Sequence, residues 1–549
     1  MPTSSTTWTE RPDPAGVRRF TRRLSAAVVG AALFVACTGA PGALPPIEQV
    51  DGPLRLRVVY PQAGETVPSA GLFTVLGSAG SGRARVSVNG TRARVHPNGS
   101  FLVRVPVPHA GAPAFRVESI LGRDTARVVL LVRIAAPAGG GSPEAPRAST
   151  VERLALLSRA GGPDQRVAAR PSPDGAPGWF LLPETLVTVT GERDGFTRVR
   201  LDPEQEVWVR SADVHAAPHG ATLARRARAP RIVSTPQSVD VVVPLSARPP
   251  LLVEEDPDGF VLTLYGTRLG TGGSRTARGN AYTLVHDVSA FSVTDDRVQI
   301  RIRTAPEPFG YAVDWEGGAV VLRVRRAPPV RGGTPLVGLT VAVDAGHPPG
   351  GATGPTGLQE ASVTLAVARQ LRRDLEARGA RVVLTRDGAG AVELEARVRH
   401  ARVADAHAMV SVHVDSRPGQ TDPYLGAGTR TFFLNSASRT LARAVQAGMV
   451  QRLRLSDGGV VHRDFAVLRS TWMPTILCEG AVIILPEHEA ALRDPRFQAA
   501  YAKGIADGLE EFFRATGTNS GRGAQAPGAR VAPGAGRRRK SGADRRKIL

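Results

Sequence analysis

At 549 residues the chain is too long for one ordinary domain, and its size predicts three or four. A hydrophobic share of 42% is ample for several cores, while 60 glycines and 44 prolines suit many short strands and linkers rather than long helical bundles. The formal charge of +21 would suit a nucleic-acid binder, but the excess is almost all arginine, with lysine only at Lys503, Lys540 and Lys547. Those arginines are scattered through every segment and build no basic helix or aromatic-basic platform, which argues against nucleic acid as a partner. A diffuse cationic surface fits an anionic polymer or an anionic membrane face.

The first element is a targeting segment. Arg18, Arg19, Arg22 and Arg23 precede a short apolar run, Leu24 to Ala36, which is too short to span a bilayer but suits the core of a signal peptide. The ending Phe34-Val35-Ala36-Cys37 resembles a bacterial lipobox, with Phe in place of the usual Leu. The resemblance implies export, with residues 1–37 a lipoprotein-type signal peptide and acylated Cys, cleavage before Cys37 and a lipid on its sulfur that ties the mature chain to a membrane; an ordinary signal peptide cleaved nearby is the other reading. With Cys37 acylated, Cys478 is the only remaining thiol and no intramolecular disulfide can form.

Three β-rich segments follow. Residues 52–135 alternate apolar and polar side chains, with hairpin signals at Asn89-Gly90 and Asn98-Gly99, and predict a small Ig-like antiparallel β-sandwich. The linker APAGGGSPEAP at 136–146 closes it. Residues 151–215 resemble a bacterial SH3-like domain, with a Leu-Pro-x-Thr turn, a Gly-Glu hairpin and a closing Val207-Trp208-Val209 strand; Trp208 is expected in the core. Residues 230–327 are again strand-rich. Gly259 to Thr267, followed by Phe309-Gly310-Tyr311, resembles the wall-localising domain that often precedes the catalytic domain of envelope amidases. None of the three segments holds a cluster of ligand-type residues, so they are expected to target rather than catalyse.

From residue 336 short apolar strands alternate with helical stretches, which predicts an α/β domain with a largely parallel sheet over 336–515. Val363, Val367, Leu371 and Leu375 recur every four residues and mark the buried face of its first helix, which Gly379 ends. Residues 516–549 are rich in Gly, Ala, Arg and Pro and read as a disordered basic tail.

The chemistry gathers in this last domain. His347 ends a strand, Glu360 opens the first helix, and His413 lies in the strand SVHVD. Groups at the carboxyl ends of strands in an open α/β sheet converge on one crevice, and two imidazoles with one carboxylate suit Zn²⁺ while leaving a fourth position for water. Glu479 ends the apolar strand PTILCE, where a charge is costly without a task. A carboxylate facing such a water can take its proton and return it to a leaving amine, the machinery of amide hydrolysis.

The stretch 339–515 resembles the zinc-dependent N-acetylmuramoyl-L-alanine amidases of the bacterial envelope, the amidase type 3 fold. Asp344 to His347, Glu360, Leu384 to Asp387, Ser411 to His413, Val467-Leu468-Arg469, Met473-Pro474 and Glu479 follow that family's motifs in order. The resemblance implies one zinc on His347, Glu360 and His413, Glu479 as catalytic acid/base, and peptidoglycan as substrate, cleaved between N-acetylmuramic acid and L-alanine. It also implies a place in the cell envelope, in the periplasm or at the outer membrane. The chain departs from the family at Pro348-Pro349 after the first histidine and at Asp415, where Asn is common. It departs again at Gly458-Gly459-Val460-Val461, which lacks two cations, and at Ala481 to Ile484. No inserted plugging helix interrupts the stretch after Leu434, so an open site is expected, and strand alternation should turn Cys478 away from it. Of His400, His407 and His462, His462 is the one expected nearest the cleft. Two other readings stand beside the amidase: a wall-binding lipoprotein with a degenerate amidase fold, and a zinc peptidase acting on the stem peptide.

Overall fold

The computed structural model describes residues 44–135 (without 110 and 112), 147–159, 166–270, 275–278, 284–305, 308–416 and 419–524. Cys37, the signal-peptide segment and the chain beyond 524 lie outside the described residues.

The first β-rich segment is a seven-stranded antiparallel sheet in the order Arg57–Tyr60, Leu72–Ser78, Ser100–Pro106, Thr91–Val95, Arg85–Val88, Ala114–Leu121, Asp124–Leu131. It wraps one core in which Phe73 stacks on Phe115 at 5.7 Å. The turn at Asn89-Gly90 has both residues at positive φ, 47° and 83°, as a two-residue hairpin loop requires. In the second segment five strands pair around Val187, Val189, Val199, Val207 and Val209. Thr185 closes the Leu182-Pro183-Glu184-Thr185 turn by donating its hydroxyl to the Leu182 carbonyl at 2.7 Å. Trp208 is buried, beneath the guanidinium groups of Arg193 and Arg198. The third segment is a four-stranded and a five-stranded sheet sharing one core that includes Val239, Val241, Leu262, Ile300 and Leu322.

Elements of the C-terminal domain are numbered from its own start: β1 (Thr340–Ala345), α1 (Glu360–Ala377), β2 (Arg381–Leu384), α2 (Leu394–Val403), β3 (Ala408–Asp415), β4 (Thr429–Phe433), α3 (Arg439–Leu453), β5 (Asp457–His462), β6 (Thr475–Val482), α4 (Pro486–Arg493) and α5 (Pro495–Ala524). The sheet runs β2-β1-β3-β6-β4-β5. Every neighbouring pair is parallel except β6 with β4. Strand alternation splits its side chains between two layers. Val341, Val343 and Ala345 join α1, α3 and α5 in one core, while Ala342 and Met409 meet Ala401 of α2 on the opposite face. The apolar face of α1 is fully buried there, as its four-residue repeat requires. Helix α5 runs to Ala524, past the expected boundary at 515. Extending a long helix is cheap once it is nucleated, and Thr516 returns its hydroxyl to the Phe512 carbonyl.

The β-rich segments dock on this domain through polar contacts and through Leu76 and Phe309, which join its core. Arg325 of the third segment is buried and donates to the Ala406 carbonyl at 2.7 Å and to Asp405 Oδ1 at 2.7 Å, with its guanidinium 4.6 Å from the Trp472 ring. Arg159 of the second segment pairs with Glu395. The first segment grips the loop after β3: Thr74 N–H donates to the Gly419 carbonyl at 3.0 Å, and Gln420 Nε2 donates to the Ala70 carbonyl at 3.0 Å.

Candidate metal centre and its cleft

At the carboxyl ends of β1 and β3 the chain brings His347, Glu360 and His413 together, with one donor atom from each lying within 4.8 Å of the others. His413 Nδ1 is 3.1 Å from Glu360 Oε1, and His347 Nε2 is 3.4 Å from Glu360 Oε2. The other nitrogen of His347, Nδ1, sits 2.9 Å from the Pro349 carbonyl, a contact that fixes the ring and leaves Nε2 for the centre. Pro349, one of the residues at which the chain departs from the amidase pattern, thus supplies that outer contact.

Glycines let the rings approach the backbone. A Cβ on Gly346 would lie 2.5 Å from His413 Cε1, and one on Gly351 3.0 Å from His347 Cγ. His347 itself is held at φ 55°, a left-handed conformation that costs a non-glycine residue energy and marks a constrained loop.

The carboxylate is held as firmly. Glu360 is buried at the first position of α1 and accepts backbone N–H groups from Ala352 at 2.9 Å and Val414 at 3.2 Å. Burial pushes its pKa up, but His413, His347 and the Ala352 N–H outweigh this and hold it below the usual carboxylate value. Two imidazoles and an ionised carboxylate on braced backbone fit a zinc-type ion.

The bracing explains motifs that ligate nothing. Asp344, fully buried, accepts Arg397 Nη1 at 2.9 Å and the Ser411 hydroxyl at 2.6 Å, and also the Thr385 hydroxyl. Arg397 continues to the Ala345 and Pro348 carbonyls, and Arg386 to those of Ala345 and Gly346. The loop carrying His347 therefore hangs from two buried guanidinium groups. Ahead of Glu360, buried Glu489 of α4 accepts the Thr356 and Leu358 N–H groups. Tyr501 of α5, wholly buried, shares its one hydroxyl proton between the His413 and Cys478 carbonyls at 3.0 and 2.9 Å, joining the two strands that carry site residues. Of these supports Arg397, Glu489 and Tyr501 do not announce themselves in the sequence, because a buried polar side chain has no local pattern.

Glu479 lies on β6 opposite His413 of β3, at a shift in register between the strands, and lines the same cleft as the three donor residues. Its neighbour Cys478 points into the helix-covered core, where burial pushes the thiol pKa up, so it offers no nucleophile. His462 does not reach the cleft; Val461 and Arg463 on either side of it do, and the His462 ring packs on Phe433. Two cations line the cleft outside 458–461: Arg430, paired with Asp415 at 3.4 Å, and Arg463.

The cleft encloses about 900 Å³. Part of its lining comes from the first β-rich segment through Tyr60, Gln62 and Glu65. Nothing in the sequence pattern pointed to that.

An open α/β sheet with a His-Glu-His donor set and a facing carboxylate at its strand ends defines a hydrolase with a candidate metal centre. Residues 341–511 match the family described as N-acetylmuramoyl-L-alanine amidase. The chain is 32% identical over 198 residues to the uncharacterized protein YqiI of Bacillus subtilis (strain 168), covering 35% of this chain and 93% of YqiI. It is 31% identical over 186 residues to the N-acetylmuramoyl-L-alanine amidase LytC of the same strain, covering 33% of this chain and 36% of LytC. Among solved structures, the catalytic domain of the N-acetylmuramoyl-L-alanine amidase CwlV from Bacillus (Paenibacillus) polymyxa var. colistinus is similar at 33% identity. That match covers 32% of this chain and 97% of CwlV's catalytic domain, with a TM-score of 0.30. This chain belongs to the N-acetylmuramoyl-L-alanine amidase family, hydrolases of peptidoglycan.

Proposed function

We propose that the chain hydrolyses the amide joining the lactyl group of N-acetylmuramic acid to L-alanine in peptidoglycan. The observation that carries this reading is the convergence of His347, Glu360 and His413 in one cleft with Glu479. His347 Nε2, Glu360 and His413 Nδ1 would hold zinc. The ion would supply a Lewis acid that polarises the scissile carbonyl and makes a water nucleophilic near neutral pH. Glu479 then takes the proton of the attacking water on its carboxylate and hands it to the departing alanine nitrogen, so one group acts as base and then as acid. Arg430 and Arg463 offer cations to the carboxylates of the stem peptide.

In the same reading the chain works in the cell envelope, with Cys37 carrying a lipid and the SH3-like and wall-localising segments bringing the cleft to its polymer. Among the described residues no helix is long and apolar enough to cross a membrane. Digestion of purified sacculi with the full chain, followed by mass analysis of the products, tests the proposal. Lactyl-ended glycan with free L-alanine termini is expected, whereas cuts confined to the stem peptide would replace the amidase with a peptidase.

A further inference from the structure

We propose that the 60–65 turn of the first β-sandwich is a working wall of the catalytic cleft, and that Glu65 on it recognises a protonated primary amine of the substrate. The inference rests on the peptidoglycan-amidase reading above, and it assigns a substrate contact to a segment outside the 341–511 family match.

Tyr60, Gln62 and Glu65 line the same cleft as the donor residues and Glu479. The turn is rigid. Gly64 sits at φ 79° and donates its N–H to the Leu131 carbonyl at 2.7 Å, while the Tyr60 ring stacks on Phe73 at 5.4 Å. The sandwich beneath is fixed to the catalytic domain by the Thr74–Gly419 and Gln420–Ala70 hydrogen bonds and by Arg104 with Asp422 at 3.5 Å. Leu76 of its second strand belongs to the catalytic domain's own core. This turn is therefore built against the site rather than tethered near it.

Its carboxylate is prepared for a cation. Glu65 Oε2 accepts the Gln62 N–H at 2.8 Å, and the Tyr60 phenol stands close enough to feel its charge. Burial, then the nearby Glu65 carboxylate, push Tyr60 up to about 12, so it stays a neutral phenol throughout the physiological range. Both neighbours are neutral. They leave the carboxylate its charge, and an ionised carboxylate accepts hydrogen bonds only. The fitting ligand is an ammonium group, held by a charge-assisted hydrogen bond. Arg430 and Arg463 also line the cleft, so it carries both signs of charge and can orient a substrate with a carboxylate at one end and an amine at the other. In a peptidoglycan stem peptide such an amine belongs to a diamino acid side chain.

The test measures binding and cleavage of two muropeptides, one with its side-chain amine free and one with it N-acetylated, by the full zinc-loaded chain. Wild type is expected to bind the free amine roughly ten- to a hundredfold more tightly, the range of a hydrogen bond to a charged group. Glu65→Gln should bring the ratio of the two dissociation constants close to one, and Tyr60→Phe, which keeps the ring stack, should leave it between the two. Equal binding of both peptides by wild type, or full discrimination in Glu65→Gln, overturns the proposal. Discriminating binding without hydrolysis of either peptide would support the wall and refute the amidase reading, so the two ideas fail separately.

Discussion

Glu479 and Glu360 are both glutamates of one cleft, yet their surroundings assign them different work. Glu360 is tied to two histidines and two backbone N–H groups, whereas Glu479 faces the same space from the neighbouring strand. Glu479→Gln keeps the shape and removes the basicity, so turnover should fall by about two orders of magnitude or more while bound zinc, measured by elemental analysis, stays at the wild-type level. Glu360→Gln should lose zinc together with activity. Zinc lost in step with activity in Glu479→Gln would make that residue a ligand. Away from the site, His488 gives a pH dependence. It is buried, its Nδ1 accepts the Val482 N–H, and burial lowers its pKa to about 4 against a smaller opposing effect of Glu487. The unfolded chain therefore binds a proton that the folded one refuses between about pH 6.5 and pH 4. Its stabilisation is complete above pH 6.5 and is lost as pH falls through 4, amounting to about 3 kcal/mol. In His488→Gln the unfolding midpoint should vary less steeply across that window; an unchanged slope would remove His488 as the cause.

Helices α3 and α5 approach each other most closely at glycines. A Cβ on Gly448 would stand 2.3 Å from the Gly504 carbonyl oxygen, and one on Gly508 would stand 2.4 Å from Val445 Cα. Alanine at an exposed helical position gains about 1 kcal/mol over glycine. Here the clash is with backbone, which cannot turn aside, so Gly448→Ala should lower the denaturant midpoint despite its better propensity. A raised midpoint would show that the helices can part without loss. Reading the sequence found α1 because its apolar spacing is a property of one helix. The α3–α5 contact was illegible because a glycine inside a helical run reads only as a weakness until its neighbour is known. The same holds at the site. His347, Glu360, His413 and Glu479 stand in a recognisable order along the chain, whereas Arg397, Glu489 and Tyr501 act on loops far from them in sequence and carry no motif.

Across the whole molecule the catalytic domain is clasped by the β-rich segments, and Arg325 is the most deeply seated of the clasps. Burial lowers its pKa, with Asp405 opposing, and its guanidinium is spent on three carbonyls, a carboxylate and the Trp472 ring. Removing one member of such a buried set typically costs about 2–5 kcal/mol, much of it from partners left desolvated and unmatched. Arg325→Ala should lower the unfolding midpoint accordingly, and Arg325→Lys should recover only part, since an ammonium cannot fork between Asp405 and the Ala406 carbonyl. A midpoint equal to wild type would mean that the segments merely touch. The β character of residues 52–327 could be read from alternation and hairpin turns, but not how those segments seat, because docking surfaces are assembled from side chains that are unremarkable one by one. The turn at 60–65 has a consequence in time as well as in space. A polypeptide leaves the ribosome amino end first, so the wall of the cleft is made before the histidines, and Glu479 comes after both. A chain halted anywhere before residue 479 would own the wall and, past residue 413, even the donor set, yet lack the proposed acid–base group. An enzyme aimed at its own cell's casing would thus be unable to cut in any form that stops short of residue 479.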